Sequence, residues 1–385
     1  MTAEKTKITD EYYMRRALRL AKRGKGYVSP NPLVGAVIVR GNRVIGEGYH
    51  RRCGENHAEI NAIRNATENI RGGTVYVTLE PCSHYGRTPP CVDALIACRP
   101  ARVVIGTPDP NPLVSGKGIE ALQRHGIQTR VGVLAEECLQ LNEVFFKYIR
   151  TGIPFVTLKF AQTLDGRIAT ASGHSRWISS PPSLRFAHRL RSTHDAILVG
   201  AQTVLRDDPE LTCRLARGRN PLRVVVDSRL RLSPDARIFI PDGKARTVVA
   251  TTSRASEGKR RQFTDKGIEL LELGESQPGR VDLHELLAAI GKREITSLLV
   301  EGGAEVITSF LKEKLPDRLI VILAPKIVGE GISAVGDLGI RTMDEALPLS
   351  VRKISRLGGD LILDAAISPA TKPDALPPES RRGRS

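Results

Sequence analysis

A chain of 385 residues is longer than one typical domain core and suits two, each burying its own apolar interior. The stretch from Met1 to Leu20 carries charges throughout and lacks the apolar core of a signal peptide. No later run has the length of a membrane span, so a cytoplasmic protein is expected. The formal charge of +16, from 58 basic against 42 acidic side chains, invites a nucleic-acid partner, but the arginines are scattered and aromatics make up only 4% of residues, which leaves no platform for stacking single strands. A phosphorylated small substrate and a phosphorylated cofactor account for part of the excess, and a solvated basic surface for the rest.

From Tyr12 to about Tyr148, strand and helix patterns alternate as in a three-layer α/β domain. Leu33 to Val39 and Val44 to Gly48 read as strands, and His57 opens a helical stretch running to Ala66. Thr74 to Leu79 is apolar and β-branched and ends at Glu80-Pro81, so a buried strand delivers Cys82 at its carboxyl end. After Pro89-Pro90 a helical pattern from Cys91 to Ala97 places Cys91 at a helix N-terminus, where the macrodipole is expected to favour its thiolate. Arg102 to Gly106 is a further strand.

His57, Cys82 and Cys91 thus offer one imidazole and two thiols. Three protein donors leave zinc's fourth tetrahedral position for water, whose pKa the metal lowers toward neutrality. Glu59, two residues after His57, is too close to ligate comfortably beside it and is expected to carry the proton from that water to a leaving group. These parts read as a hydrolytic deaminase site. A purely structural zinc site, or Cys82 as a buried apolar thiol, needs no Glu59. Cys53, four residues before His57 in a Gly-containing loop, is a rival ligand, and Cys98, Cys138 and Cys213 read as unpaired thiols of a reduced compartment.

A boundary is expected near Arg150 to Pro154. Beyond it, strand candidates are Phe155 to Phe160, Ala196 to Val199, Leu222 to Val226, Thr247 to Ala250, Ser297 to Val300 and Leu319 to Leu323. Helical patterns intervene at Pro182 to Arg191, Leu283 to Ile290 and Ala304 to Leu311. The strand ending at Val300 leads through Glu301-Gly302-Gly303 into a helix, an arrangement that lets backbone amides approach a phosphate. Taken alone, a Gly-Gly pair is more often just a tight turn, and the spacing is not Gly-x-Gly-x-x-Gly. From Ser368 onward the chain is rich in Pro, Ser and Arg and is expected to be disordered. No internal repeat is evident.

Zinc nucleic-acid and nucleoside deaminases follow their His-x-Glu pair with Pro-Cys-x-x-Cys, whereas here the eight residues from Ser83 to Pro90 separate the cysteines. The run from Pro81 to Cys91, with Asn31-Pro32-Leu33-Val34-Gly35, His50 and Asp109-Pro110-Asn111-Pro112, closely resembles the bifunctional riboflavin-biosynthesis deaminase/reductase family. Leu158 to Arg167, Ser175 to Ile178, Val199 to Pro209 and Val226 to Ser228 are similar to the reductase half of that family, so the likeness covers about Tyr12 to Ala366. It implies an α/β fold: a cytidine-deaminase-like three-layer domain over residues 1–150, a dihydrofolate-reductase-like domain over 151–367, and a tail over 368–385. It also implies Zn2+ and NADPH as cofactors.

By the same resemblance, Asn31, His50, His84, Arg87, Asp109 and Asn111 surround the substrate of the deaminase, 2,5-diamino-6-(5-phosphoribosylamino)pyrimidin-4-one; Arg87 stands where many relatives have lysine and keeps the charge. Ala161, Trp177, Thr203, Asp207, Ser228 and the turn Gly302, Gly303, Ala304 and Glu305 fall to the cofactor. Ser175, Arg191, Leu211, Arg214 and Glu301 fall to the ribose phosphate substrate of the reductase, whose ribosylamino group becomes ribitylamino. Without the likeness, Arg191 reads as a solvent-facing charge and Trp177 as a core aromatic. Opening the sugar ring to an imine needs an acid, and Lys159, Asp207 and Glu301 are candidates. Thr251 to Arg254, after a strand, is a candidate holder of the 2′-phosphate of NADPH. The partners expected are thus a phosphorylated pyrimidine and possible copies of this chain, without nucleic acid or membrane. The rival readings are a tRNA or single-strand base deaminase fused to a basic accessory domain, and a non-catalytic zinc and nucleotide sensor.

Overall fold

The computed structural model describes residues 9–85, 89–111, 115–240, 243 and 245–367; Arg87, Pro112 and the stretch from 368 lie outside the described residues. The chain divides into two compact units, the first reaching Pro154 and including Ala288–Thr296, the second comprising Phe155–Leu287 and the chain from Ser297. Among the described residues no helix is long and apolar enough to cross a membrane.

The first unit contains helices α1 (Asp10–Ala21), α2 (Ala58–Arg64), α3 (Cys91–Cys98), α4 (Lys117–Arg124), α5 (Ala135–Leu141) and α6 (Glu143–Thr151). Its strands are β1 (Gly35–Arg40), β2 (Arg43–Tyr49), β3 (Thr74–Leu79), β4 (Arg102–Thr107) and β5 (Gln128–Val131), ordered β2-β1-β3-β4-β5. Successive side chains of a strand point to opposite faces. Ala36 and Ile38 of β1 accordingly join Val75 and Val77 of β3 in a core with α2, α3 and α4, while Val37 and Val39 pack with α1 and with Cys138 of α5. Both faces of the sheet are covered, which is why β1 and β3 are continuous apolar runs rather than alternating ones. β3 and β4 are parallel, so their carboxyl ends, and the loops carrying Cys82 and Asp109, emerge side by side.

The second unit is built on a nine-stranded sheet. Its strands in chain order are β6 (Phe155–Thr163), β7 (Arg167–Thr170), β8 (Ala196–Gly200), β9 (Leu222–Val226), β10 (Thr247–Thr251), β11 (Glu269–Glu272), β12 (Glu275–Gln277), β13 (Arg280–Val281), β14 (Ser297–Val300), β15 (Arg318–Ala324), β16 (Gly331–Ser333), β17 (Ser350–Leu357) and β18 (Asp360–Ala366). The order is β11-β10-β9-β8-β14-β6-β15-β18-β17, parallel as far as β15 and closed by the antiparallel β17–β18 pair; β12–β13 and β7–β16 form small separate pairs. The helices are α7 (Pro181–Thr193), α8 (Ala201–Asp207), α9 (Glu257–Thr264) and α11 (Ala304–Lys312), together with the first residues of α10 (Leu283–Gly291), whose end from Ala288 belongs to the first unit. Edge strands β5, β11 and β17 have no counterpart among the elements expected from sequence. No residue of β17 is fully buried, so no apolar pattern marks it.

Candidate active sites

In the first unit, His57 is the N-cap of α2, Cys82 follows β3, and Cys91 is the first residue of α3. Their ligand atoms converge within 4.8 Å of one another. His57 Nδ1 lies 3.5 Å from Cys82 Sγ and 3.3 Å from Cys91 Sγ. A tetrahedral zinc with ordinary Zn–N and Zn–S bonds requires an N···S edge of roughly 3.5 Å, so the donors fit zinc in both chemistry and spacing. Cys53 lines the same cleft but is not in this donor group.

The Cys91 amide donates to Cys82 Sγ at 3.3 Å. Hydrogen bonds from Cys91 and His57 hold the Cys82 thiol below its ordinary range.

Glu59, 3% exposed, stands in the first turn of α2. Burial first, then the charge on Cys82, pushes its carboxyl up to about 7. The cleft beside it, of about 370 Å³, is lined by Asn31, His50, His84, Asp109 and Asn111, all named above for the substrate. His50 is buried and fixed at both ring nitrogens: Nδ1 donates to the Asn56 carbonyl at 3.1 Å, which leaves Nε2 to accept from Asn31 Nδ2 at 3.1 Å. Burial lowers its pKa and keeps it neutral. His84 Nδ1 is buried without a partner among the described residues. Asp109 Oδ1 accepts from the Asn111 amide at 2.8 Å, and burial pushes its carboxyl up to about 6.

In the second unit a cleft of about 560 Å³ opens at the carboxyl ends of β9, β8 and β14. Thr203, Asp207, Ser228 and the turn from Gly302 to Glu305 line it, as do Ser175 and Glu301. The glycines are sterically required: a Cβ on Gly302 would stand 2.6 Å from Val306 Cβ, and one on Gly200 2.7 Å from Val306 Cγ2. Thr203 Oγ1 accepts from the Gly303 amide at 3.2 Å and ties α8 to the turn. The turn, the amides at the start of α11 and the size of the cleft fit a dinucleotide phosphate.

Ala161, Trp177, Lys159, Arg191, Leu211 and Arg214 do not line that cleft. Trp177 is 67% exposed and so is no core aromatic, whereas Leu211 is buried in the main core. Arg191 faces inward rather than solvent and grips Glu301 with two hydrogen bonds of 2.9 Å, while Lys159 Nζ lies 3.5 Å from the same carboxylate. Burial would raise the Glu301 pKa, but the two cations outweigh it and hold it at about 2. An ionised carboxylate has no proton to give, so Glu301 drops out of the three candidate acids. Arg254 is committed to Glu275, at 2.8 and 2.9 Å, and is not among the cleft residues.

Residues 154–363 match the family model for the RibD C-terminal domain, and residues 7–107 that for the cytidine and deoxycytidylate deaminase zinc-binding region. The chain is 46% identical over 355 residues to the riboflavin biosynthesis protein RibD of Aquifex aeolicus (strain VF5), across 92% of this chain and 97% of that protein. The chain belongs to the RibD family. The RibD of Escherichia coli (strain K12) is 43% identical, covering 92% of this chain and 99% of its own length. A crystal structure from Thermotoga maritima, described as a diaminohydroxyphosphoribosylaminopyrimidine deaminase/5-amino-6-(5-phosphoribosylamino)uracil reductase, superposes with a TM-score of 0.82 at 40% identity, covering 93% of this chain and 99% of that one. The fold is accordingly the cytidine-deaminase-like and dihydrofolate-reductase-like pair of RibD, and zinc and NADPH are its cofactors.

Two features of this RibD chain escape the sequence reading. Glu80, read there only as the end of a strand, is a buried carboxylate whose oxygens accept from four backbone amides: Asp109 at 3.2 Å, Gly116 at 3.1 Å, Gly118 at 3.0 Å and Ile119 at 3.3 Å. It fastens the Asp109 loop and the start of α4 beside the cysteine loop. Phe145, Tyr148 and Ile149 of α6 form an apolar wall of the zinc cleft; their helical spacing looks like any core stripe.

Proposed function

We propose that the chain catalyses two successive steps of riboflavin biosynthesis: hydrolytic deamination of 2,5-diamino-6-(5-phosphoribosylamino)pyrimidin-4-one in its first unit, then reduction of the ribosyl side chain to 5-amino-6-(5-phosphoribitylamino)uracil in its second. The observation that carries this reading is the convergence of His57, Cys82 and Cys91 beside a buried Glu59, in a chain matched along nearly its whole length by RibD proteins. When bound, zinc supplies a water acidic enough to lose a proton near neutral pH, and NADPH supplies a hydride.

His57, Cys82 and Cys91 would hold the metal. Glu59 accepts the proton that the water loses and returns protons to the ring nitrogen and the departing ammonia, so that C–NH2 and water become C=O and NH3. Asn31, His50, His84, Asp109 and Asn111 orient the pyrimidine, with the neutral His50 presenting a fixed hydrogen-bonding edge. Arg87 completes this set by its place in the sequence.

In the second unit, Thr203, Asp207, Ser228 and the turn from Gly302 to Glu305 would hold the dinucleotide, with Ala161 and Trp177 joining them by the family likeness. Ser175, Leu211 and Arg214 receive the ribose phosphate. Arg191 and Glu301 form an ionic brace that fixes the Lys159 ammonium, leaving Lys159 and Asp207 to protonate the opening sugar. The substrate is a small phosphorylated pyrimidine rather than nucleic acid. The enzyme works in the cytoplasm, where its six thiols stay reduced, alone or as a homo-oligomer.

The test is incubation of purified protein with the diaminopyrimidine ribosyl phosphate while product mass is followed. A gain of about one mass unit without NADPH and about two more with it are the changes expected from amine-to-carbonyl exchange and addition of two hydrogens. Ammonia release that depends on added RNA would overturn the reading in favour of a nucleic-acid deaminase.

A further inference from the structure

β14, β8 and β9 are neighbouring parallel strands, so the segments that follow them open side by side on one edge of the sheet. Adjacent strands lie roughly 4.8 Å apart, which puts the end of β9 roughly 10 Å from the glycine turn after β14. A diphosphate at that turn would leave the end of β9 within reach of the adenosine ribose of a dinucleotide. In Rossmann dinucleotide folds a carboxylate near a strand end binds the free 2′-hydroxyl of NADH, and an arginine accommodates the 2′-phosphate of NADPH, and the same chemistry applies wherever the ribose lies.

The carboxylate at this place is turned away. Asp227 is 1% exposed, and its Oδ2 accepts from the Leu232 amide at 2.9 Å. The next two residues, Ser228 and Arg229, line the cleft instead. Arg229 lies across Gly279 at the β12–β13 turn, where a Cβ would stand 3.0 Å from Nη2, so the absent side chain gives the guanidinium a flat seat. Ser276 and Arg280 of the same hairpin line the cleft with it. Arg231 lies 3.7 Å from Asp227 and Arg254 is bound to Glu275, whereas Arg229 has no carboxylate partner among the described residues.

We propose that Arg229 recognises the 2′-phosphate of NADPH and is the residue that makes this cleft select NADPH over NADH. The proposal rests on the reading of the cleft as the dinucleotide site. A guanidinium fork suits a phosphate because it presents parallel N–H donors to two oxygens.

Calorimetric binding of NADPH and of NADH to the full-length protein, without pyrimidine substrate, tests it. Arg229→Ala is expected to weaken NADPH roughly tenfold to hundredfold, the worth of one or two charge-assisted hydrogen bonds, and to leave NADH unchanged. Adenosine 2′,5′-bisphosphate should lose the same factor and adenosine 5′-monophosphate none, while Arg254→Ala should bind all four ligands as the parent does. Unaltered NADPH affinity in Arg229→Ala, an equal loss for NADH, or loss of discrimination in Arg254→Ala would overturn the assignment. Parent protein that binds both dinucleotides equally would overturn the selectivity alone. Parent protein that binds neither would overturn the dinucleotide reading on which it stands.

Discussion

Replacing Glu80 by glutamine should loosen the loop that carries Asp109 and Asn111 without removing any zinc donor. The native carboxylate, 3% exposed, accepts hydrogen bonds from four amides, two on each oxygen. Glutamine keeps one acceptor oxygen and turns an NH2 toward the other two amides, leaving two buried N–H groups unsatisfied at about 1–3 kcal/mol each. The expected loss is about 2–6 kcal/mol from the first unit, which for a unit of this size lowers its transition by roughly 5–20 °C. Calorimetry on the zinc-loaded full chain reads this directly. NADPH should raise the transition of the second unit alone, so the remaining transition belongs to the first. Deaminase kcat/KM should fall with it, because Asp109 and Asn111 lose their register at the cleft, while zinc content is unchanged. Gly118→Ala, which would place a Cβ 2.3 Å from the Pro81 carbonyl oxygen, should give the same two effects. A Glu80→Gln protein that melts within about 1 °C of the parent and deaminates at its rate would refute the argument.

Glu59→Gln should lower ammonia release by roughly 10²–10⁴-fold, the usual worth of a placed proton carrier, while zinc stays at about one per chain and NADPH oxidation on the deaminated intermediate continues; joint loss of both activities would contradict separate sites. The Glu301 carboxyl is held at about 2, against an ordinary value of 4.5. Its stabilising effect, about 3 kcal/mol, is therefore complete above pH 4.5 and fades as pH falls through 2. Glu301→Gln should lower the urea midpoint of the second unit at neutral pH, because Arg191 and Lys159 lose their counterion, and should flatten its decline between pH 4.5 and 2; an unchanged slope would remove the brace. Trp177→Ala, at a side chain 67% exposed, should change stability by no more than about 0.5 kcal/mol yet weaken NADPH binding measured by fluorescence.

What the sequence discloses and what it hides follow from where each signal resides. The zinc donors are legible because the chemistry demands rare residue types, and because Pro81 and Pro90 mark the ends of β3 and the start of α3 that position them. Central strands are legible because burial on both faces demands apolar runs, as in Val75 and Val77 of β3 or Leu198 and Val199 of β8. Strands β5 and β17 lie at sheet edges and bury almost nothing, so no pattern betrays them. Glu80 is hidden for a different reason: its partners are backbone amides, which every residue but proline has. The arginines make the same point about charge. Arg254 follows a strand and a pair of threonines and looks ready for a phosphate, but Glu275, 21 residues on, already takes its Nε–H with both carboxylate oxygens. Arg229 looks ordinary beside Asp227, but the fold buries that aspartate and lays Arg229 over a glycine. Whether an arginine can receive a ligand depends on which carboxylates the fold brings within reach of it, and no reading of its sequence neighbours supplies that.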